Sequence, residues 1–135
     1  LPMEGVAEAL TAIIRNGGKN YIFTHRDRES TEDYLEKYGM SACFEEIVCP
    51  DTPGFAWKPA PDGIIVLLEK YKIECSQAAM VGDRLDNDIV PANDLGMYTI
   101  WIKQGNWIYA TPKEKLEYPD WIIENLKELE ELVEK

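Results

Sequence analysis

The sequence is poor in positive charge and in long apolar runs, and each shortage excludes a class of partner. Its 14 lysine and arginine residues stand against 25 aspartate and glutamate residues, so the formal net charge is −11 at pH 7. Because this charge repels phosphodiester backbones and anionic lipid, we expect neither nucleic acid nor a membrane as a partner. Uncharged apolar stretches such as residues 63–68 and 97–102 are also far shorter than the roughly 20 residues that cross a bilayer.

Cysteine and histidine are scarce as well. Cys43, Cys49 and Cys75 form no Cys-x-x-Cys pair, and His25 is the single histidine. This composition argues against a disulfide framework and against a zinc site. We interpret the cysteines as reduced thiols in or near the core of a cytoplasmic protein. With 45% hydrophobic and 29% charged residues, the chain has the composition of a globular protein, and we predict one domain over residues 1–135.

Short apolar runs alternate with segments of helical periodicity along the chain. We predict strands at residues 21–23, 46–49, 78–81, 99–102 and 121–123. Helical spacing predicts a helix over residues 5–15, one capped by Ser30 or Thr31, a short one over residues 89–95, and a last one capped by Asn125 with Glu128. This alternation predicts an α/β fold, a Rossmann-like parallel sheet with helices on both faces.

Polar motifs follow two of these strands and precede one helix, where an α/β sheet binds its ligands. Thr24 closes the first strand, Lys58 precedes Pro-Ala-Pro, and Asp83 and Asp88 lie in Gly-Asp-Arg-Leu-Asp-Asn-Asp-Ile. A hydroxyl can bind phosphate oxygens, an ammonium group can neutralise charge in the transition state, and two carboxylates can hold Mg²⁺. Together they are the groups that phosphoryl transfer requires.

In order and spacing these motifs resemble the haloacid dehalogenase superfamily, in the branch that contains phosphoglycolate-phosphatase-like enzymes. Residues 21–26 resemble its second motif, an apolar strand ending in Ser or Thr. Residues 58–61 resemble its third motif, Lys-Pro-x-Pro, and residues 82–97 its fourth, Gly-Asp with a second Asp and a helix leading to Leu-Gly-Met. The resemblance covers nearly the whole chain and implies magnesium-dependent hydrolysis of small phosphorylated metabolites through an aspartyl-phosphate.

The resemblance also implies a role for each matching residue. It makes Thr24 and Lys58 catalytic and Asp83 and Asp88 the metal ligands. The residues that it implies for substrate binding are Thr24, His25, Arg26 and Lys58.

The first motif of that family has no match in the printed sequence. That motif is a strand ending in Asp-x-Asp-Gly-Thr, whose two aspartates act as nucleophile and as general acid and base. The single Asp-x-Asp here, residues 86–88, is followed by Ile89 and Val90 instead. We therefore expect the first strand, which is central in the family's sheet, and the substrate-selecting cap to be absent from the printed chain. The nucleophile is expected upstream of Leu1, in a missing N-terminal segment of the same protein, and the printed chain alone is expected to be inactive.

Other functions stay open at this point. A phosphate-binding pseudoenzyme would keep Thr24, Lys58 and the acidic pair without the nucleophile. A response-regulator receiver domain uses Asp, Thr and Lys in the reverse order, and a dehalogenase that attacks carbon does not need a magnesium pair. A calcium loop at residues 83–90 lacks the required glycine. The sequence specifies neither the phosphate ester nor the oligomeric state.

Overall fold

The computed structural model describes residues 5–134. In chain order the elements are α1 (Val6–Arg15), β1 (Asn20–Phe23), α2 (Arg28–Lys37), β2 (Phe44–Val48), α3 (Asp62–Lys70), β3 (Ala79–Gly82), a π-helical turn (Leu85–Ile89), α4 (Val90–Leu95), β4 (Tyr98–Ile102), β5 (Trp121–Ile123) and α5 (Leu126–Glu134). The chain forms two compact units, Leu1–Phe55 with Asn125–Lys135, and Ala56–Glu124. The single domain expected over residues 1–135 stays a prediction.

All five strands of the described residues pair in parallel, which confirms the predicted fold class. They form two sheets, β1-β2 in the first unit and β3-β4-β5 in the second. In the second unit the register places Gly82 of β3 beside Trp101 of β4, and Trp101 beside Ile122 of β5. Among the described residues β3 has a strand partner on one side only, because β4 is its single neighbour.

The first unit is built on the apolar faces of α1 and α2. Buried Leu10, Leu35 and Met40 form its core cluster, to which Ile22 of β1 and Ile47 of β2 add apolar contacts. Leu10 and Leu35 belong to the buried stripes of α1 and α2, because each helix buries one face of its surface.

Two helix termini in the first unit depend on specific residues. Gly5 precedes α1 with φ of 82°, and a Cβ at this position would lie 2.8 Å from the backbone nitrogen of Lys127 in α5. Asn125 and Glu128 exchange hydrogen bonds at 3.2 Å, which confirms the predicted capping box of the last helix. Both contacts fix how α5 begins.

One predicted helix start is wrong. The second helix is capped by Asp27, which accepts a hydrogen bond from the amide of Ser30 at 2.9 Å, and not by Ser30 or Thr31. Its helical backbone begins earlier than its apolar pattern does, so a local polar contact decides this boundary. The short helix predicted over residues 89–95 is confirmed to within one residue as α4, and it is preceded by the π-helical turn that begins at Leu85.

The second unit has its own core. Leu85, Ile89 and Trp101 form a buried cluster against which Ala110 packs. A polar network lies at the start of β4, where the fully buried Thr99 contacts Asn93 and Asp120. Over residues 5–134, none of the helices is both long enough and apolar enough to traverse a lipid bilayer.

Candidate functional site

The acidic residues of the second unit are brought together by the chain reversal after β3. Asp83 follows the last residue of β3, and the π-helical turn then returns Asp88 toward the strand end. The amide of Asp88 donates to the carbonyl oxygen of Arg84 at 3.0 Å, and the amide of Arg84 donates to Oδ2 of Asp88 at 3.3 Å. This reciprocal pair of hydrogen bonds fixes the orientation of the Asp88 carboxylate.

Gly82 is required for this close approach. A Cβ on Gly82 would lie 2.4 Å from Cβ of Asp88 and 2.5 Å from its Oδ2, well inside van der Waals contact. The Gly-Asp of the sequence motif therefore has a steric basis, because a side chain at residue 82 would displace the second carboxylate.

Lys58 joins the acidic residues through an ion pair. Its Nζ lies 2.7 Å from Oδ1 of Asp88, and the side chains of Lys58 and Asp88 are only 14% and 8% exposed. A charge-assisted hydrogen bond of this length between side chains largely removed from water is both strong and positionally specific. The structure thus brings together three of the residues predicted from the sequence, Lys58, Asp83 and Asp88.

The electrostatics of this cluster suit a cation. Burial raises the pKa of Asp83, and the negative charge of Asp88 raises it further, while Lys58 acts in the opposite direction. A divalent cation between the carboxylates would offset both the desolvation and the repulsion. Carboxylate oxygens are hard ligands of the kind that Mg²⁺ prefers.

The number of ligands is also compatible with Mg²⁺. Over the described part of the chain there is no group of three or more His, Cys, Asp or Glu side chains that could hold a metal ion. Mg²⁺ is commonly bound through one or two carboxylates and keeps several waters, so Asp83 and Asp88 fit it. A carboxylate offers about four lone-pair positions. The two bonds from Lys58 and the Arg84 amide therefore leave Asp88 free to accept more.

Thr24, His25 and Arg26 lie in the first unit. The amide of Thr24 donates to the carbonyl oxygen of Val48 at 2.9 Å, which extends the β1-β2 pairing by one residue. Its hydroxyl oxygen accepts a hydrogen bond from the amide of Arg26 at 3.1 Å. The hydroxyl therefore keeps its own proton for donation to an anion, although the Arg26 amide is already engaged.

The side chains of His25 and Arg26 contact aromatic rings. The ring centroid of His25 lies 6.0 Å from that of Phe55, and the guanidinium of Arg26 lies 6.0 Å from the centroid of the Tyr34 ring. Their predicted roles in substrate binding, and the convergence of Thr24 and Lys58 on one phosphate, stay predictions.

Two tryptophans that were not expected at the site contact its acidic loop. Trp101 is 2% exposed and its indole Nε1 donates to the carbonyl oxygen of Asp83 at 3.0 Å. The ring of Trp107 lies under the guanidinium of Arg84, 4.1 Å from its Cζ, and Arg84 also binds Asp86 through two hydrogen bonds of 3.0 and 2.7 Å. Trp101 is placed beside the loop by the parallel register of β3 and β4, which pairs it with Gly82. This register is known only once the two strands are aligned.

The fold and the acidic loop are those of a known family. Residues 1–102 match the family model described as haloacid dehalogenase-like hydrolase, so the chain belongs to this family.

The relatives with similar sequences include several phosphatases. The chain is 29% identical over 131 residues to a glyceraldehyde 3-phosphate phosphatase of Pyrococcus furiosus, and the aligned region is 97% of this chain and 54% of the relative. It is 31% identical over 113 residues to a phosphoglycolate phosphatase of Vibrio cholerae, and the aligned region is 83% of this chain and 48% of the relative. The crystal structure of a HAD phosphatase from Thermococcus onnurineus is similar, with a TM-score of 0.79 and 25% identity, over 96% of this chain and 57% of that one. The chain thus spans about half the length of the relatives that it matches.

Proposed function

We propose that the protein containing this chain hydrolyses small phosphate monoesters with the help of Mg²⁺. The observation that carries the proposal is the cluster of Lys58, Asp83 and Asp88, in which a buried ion pair lies beside a carboxylate of raised pKa. Membership of a hydrolase family and the phosphatase names of the relatives agree with this chemistry. Those names specify glyceraldehyde 3-phosphate and phosphoglycolate, and an ester of this size is the substrate class that we propose here.

We assign a role to each residue of the site. Asp83 and Asp88 would hold Mg²⁺, whose positive charge stabilises the phosphoryl oxygens when it is bound. Lys58 orients Asp88 through its 2.7 Å contact, and we assign its ammonium group to the binding of a phosphate oxygen, since an ammonium group is a positively charged N–H donor. Thr24 contributes a hydroxyl donor, and the loop after it, with His25 and Arg26, contributes to substrate binding.

The nucleophile is the part of the reaction for which the printed sequence has no matching motif. We propose that an aspartate from an upstream strand attacks phosphorus, so that an oxygen–phosphorus bond forms while the bond to the leaving alcohol breaks. Water then cleaves the aspartyl-phosphate and releases inorganic phosphate. Over residues 5–134 β3 has a strand partner on one side only, and this supports the proposal, because a parallel strand added on the other side would end beside Asp83.

The proposal is tested by hydrolysis of p-nitrophenyl phosphate in the presence of Mg²⁺. We would compare the 135-residue chain, the same chain extended upstream to include the Asp-x-Asp of its reading frame, and the extended chain with the first of these aspartates replaced by Asn. Of the three proteins, only the extended chain with both aspartates is expected to hydrolyse the ester. In the other two, positioned charge without a nucleophile leaves only unactivated water as the attacking group. Robust turnover by the 135-residue chain would contradict the assignment of the nucleophile. An inactive extended chain that still binds phosphate would favour a phosphate-binding protein.

A further inference from the structure

The acidic loop after β3 is attached to the strand beside it by a buried indole. Trp101 lies next to Gly82 in the parallel register, and its Nε1 donates to the carbonyl oxygen of Asp83 at 3.0 Å. The ring packs in the same buried cluster as Leu85 and Ile89, the first and last residues of the π-helical turn. One side chain therefore contacts the loop by a hydrogen bond at Asp83 and by apolar packing at both ends of the turn.

The segment that follows β4 lies close to Asp83 as well. Gly105 has φ of 69°, and a Cβ at this position would lie 3.6 Å from Oδ2 of Asp83. Two residues later, the partly exposed ring of Trp107 stacks on the guanidinium of Arg84, which follows Asp83 in the chain. Trp101, Gly105 and Trp107 thus lie close to the carbonyl of Asp83, the carboxylate of Asp83 and the side chain of Arg84, respectively.

We propose that Trp101 is a positioning residue for the metal site, and that its indole N–H orients the Asp83 peptide so that the carboxylate points at the cation. This inference rests on the proposed function, because it assumes that Asp83 binds Mg²⁺. The physical basis is that Mg²⁺ demands near-ideal octahedral geometry and gives up its waters reluctantly, so a ligand that must be ordered during binding lowers affinity. Hydrogen-bond partners behind a ligand typically change metal affinity by about 10- to 100-fold.

Two changes at residue 101 separate the hydrogen bond from packing. Trp101→Phe removes the N–H and part of the ring. Site-specific replacement of Trp101 by β-(3-benzothienyl)alanine keeps the bicyclic ring but has sulfur in place of the N–H group. Trp121→Phe is the control, since Trp121 packs on Tyr98 at the start of β4, whereas Asp83 follows the end of β3.

The measurement is calorimetric titration of each purified protein with MgCl₂ alone, at a temperature at which thermal unfolding shows every variant to be folded. Weakening of Mg²⁺ binding by about 10-fold or more is expected for both changes at residue 101, with unchanged affinity for Trp121→Phe. Wild-type affinity in the benzothienyl variant would overturn the proposal, because only packing would then matter. Asp83→Asn is titrated in parallel to distinguish two failures. If Asp83→Asn loses affinity and the benzothienyl variant does not, the inference about Trp101 alone is wrong. If Asp83→Asn binds Mg²⁺ like the wild type, the metal site itself is wrong and the role of Trp101 is overturned with it.

Discussion

The ammonium group of Lys58 and the carboxylate of Asp88 form an ion pair of 2.7 Å that is almost closed to solvent. Thirty positions separate the two residues in the sequence. The pair places the ammonium group of Lys58, from the loop before α3, against the acidic turn after β3. It thus connects the Lys-Pro-x-Pro motif with the Gly-Asp motif, which lie apart in the sequence.

Removing Lys58 should destabilise the protein more than removing an exposed lysine. Lys58→Met leaves Asp88 as an unpaired carboxylate in a buried position, and we expect a loss of about 3 kcal/mol in the free energy of unfolding. Urea denaturation measures this loss, with the exposed Lys115→Met as the matched control. The double variant Lys58→Met with Asp88→Asn should recover much of the stability. Equal effects of the two lysine substitutions would show that the ion pair is not energetically significant.

The two neighbouring aspartates of the loop should differ in their contribution to Mg²⁺ binding. Asp83→Asn removes a charged ligand, and we expect affinity to fall by at least about 10-fold, which is the lower end of the effect of losing a supporting residue. Asp86→Asn is the control, because Asp86 is engaged by Arg84 and is exposed. Isothermal titration with MgCl₂ gives both affinities. An unchanged affinity in Asp83→Asn, or an equal loss in Asp86→Asn, would refute the assignment.

The contact between Gly82 and Asp88 predicts a steric cost for alanine. Gly82→Ala forces its new methyl group against Cβ of Asp88, and we expect destabilisation of about 1–3 kcal/mol. A double-mutant cycle with Asp88→Gly identifies the cause, because removing the opposing Cβ should make the alanine cheaper to accommodate. Additive effects in the cycle, measured by urea denaturation, would mean that the clash is relieved elsewhere.

The three cysteines should react at different rates. Burial raises the pKa of the Cys49 thiol, and its hydrogen bond to Asp51 raises that pKa further. Since the thiolate is the reactive form, Cys49 should be modified more slowly than the partly exposed Cys43 and Cys75 at pH 8. Ellman's reagent on variants that retain one cysteine each measures the three rates, and denaturation in urea should make them similar. Fast modification of Cys49 in the folded protein would contradict the expectation.

Most elements of the fold were predictable because their apolar patterns are bounded by turn residues. The β5 strand matches its predicted residues 121–123, and β1 differs from its prediction only by the inclusion of Asn20. The start of α2 was not predictable in the same way. Asp27, Ser30 and Thr31 are all good capping residues within five positions, and the choice depends on the extended backbone that Asp27 adopts.

The candidate site was predictable in its residue types but not in its contacts. Lys58, Asp83 and Asp88 stand out as charged residues beside Gly and Pro at the ends of apolar runs. The ion pair between Lys58 and Asp88 depends on the π-helical turn, which no local sequence pattern predicts. The contribution of Trp101 depends on strand register, a relation between residues distant in sequence, and apolar spacing alone indicates only that this tryptophan is buried.

In the part of the chain that the structure describes, β3 pairs with β4 on one side, and its other edge has no strand beside it. Ala79 and Val81 are exposed, and a strand edge of this kind accepts whichever extended segment reaches it first. A segment tethered to the same polypeptide competes at an effective concentration of about millimolar, far above that of other molecules in dilute solution. A protein in which a tethered segment pairs with this edge would therefore stay monodisperse, whereas one in which the edge stays open would show concentration-dependent self-association through β3.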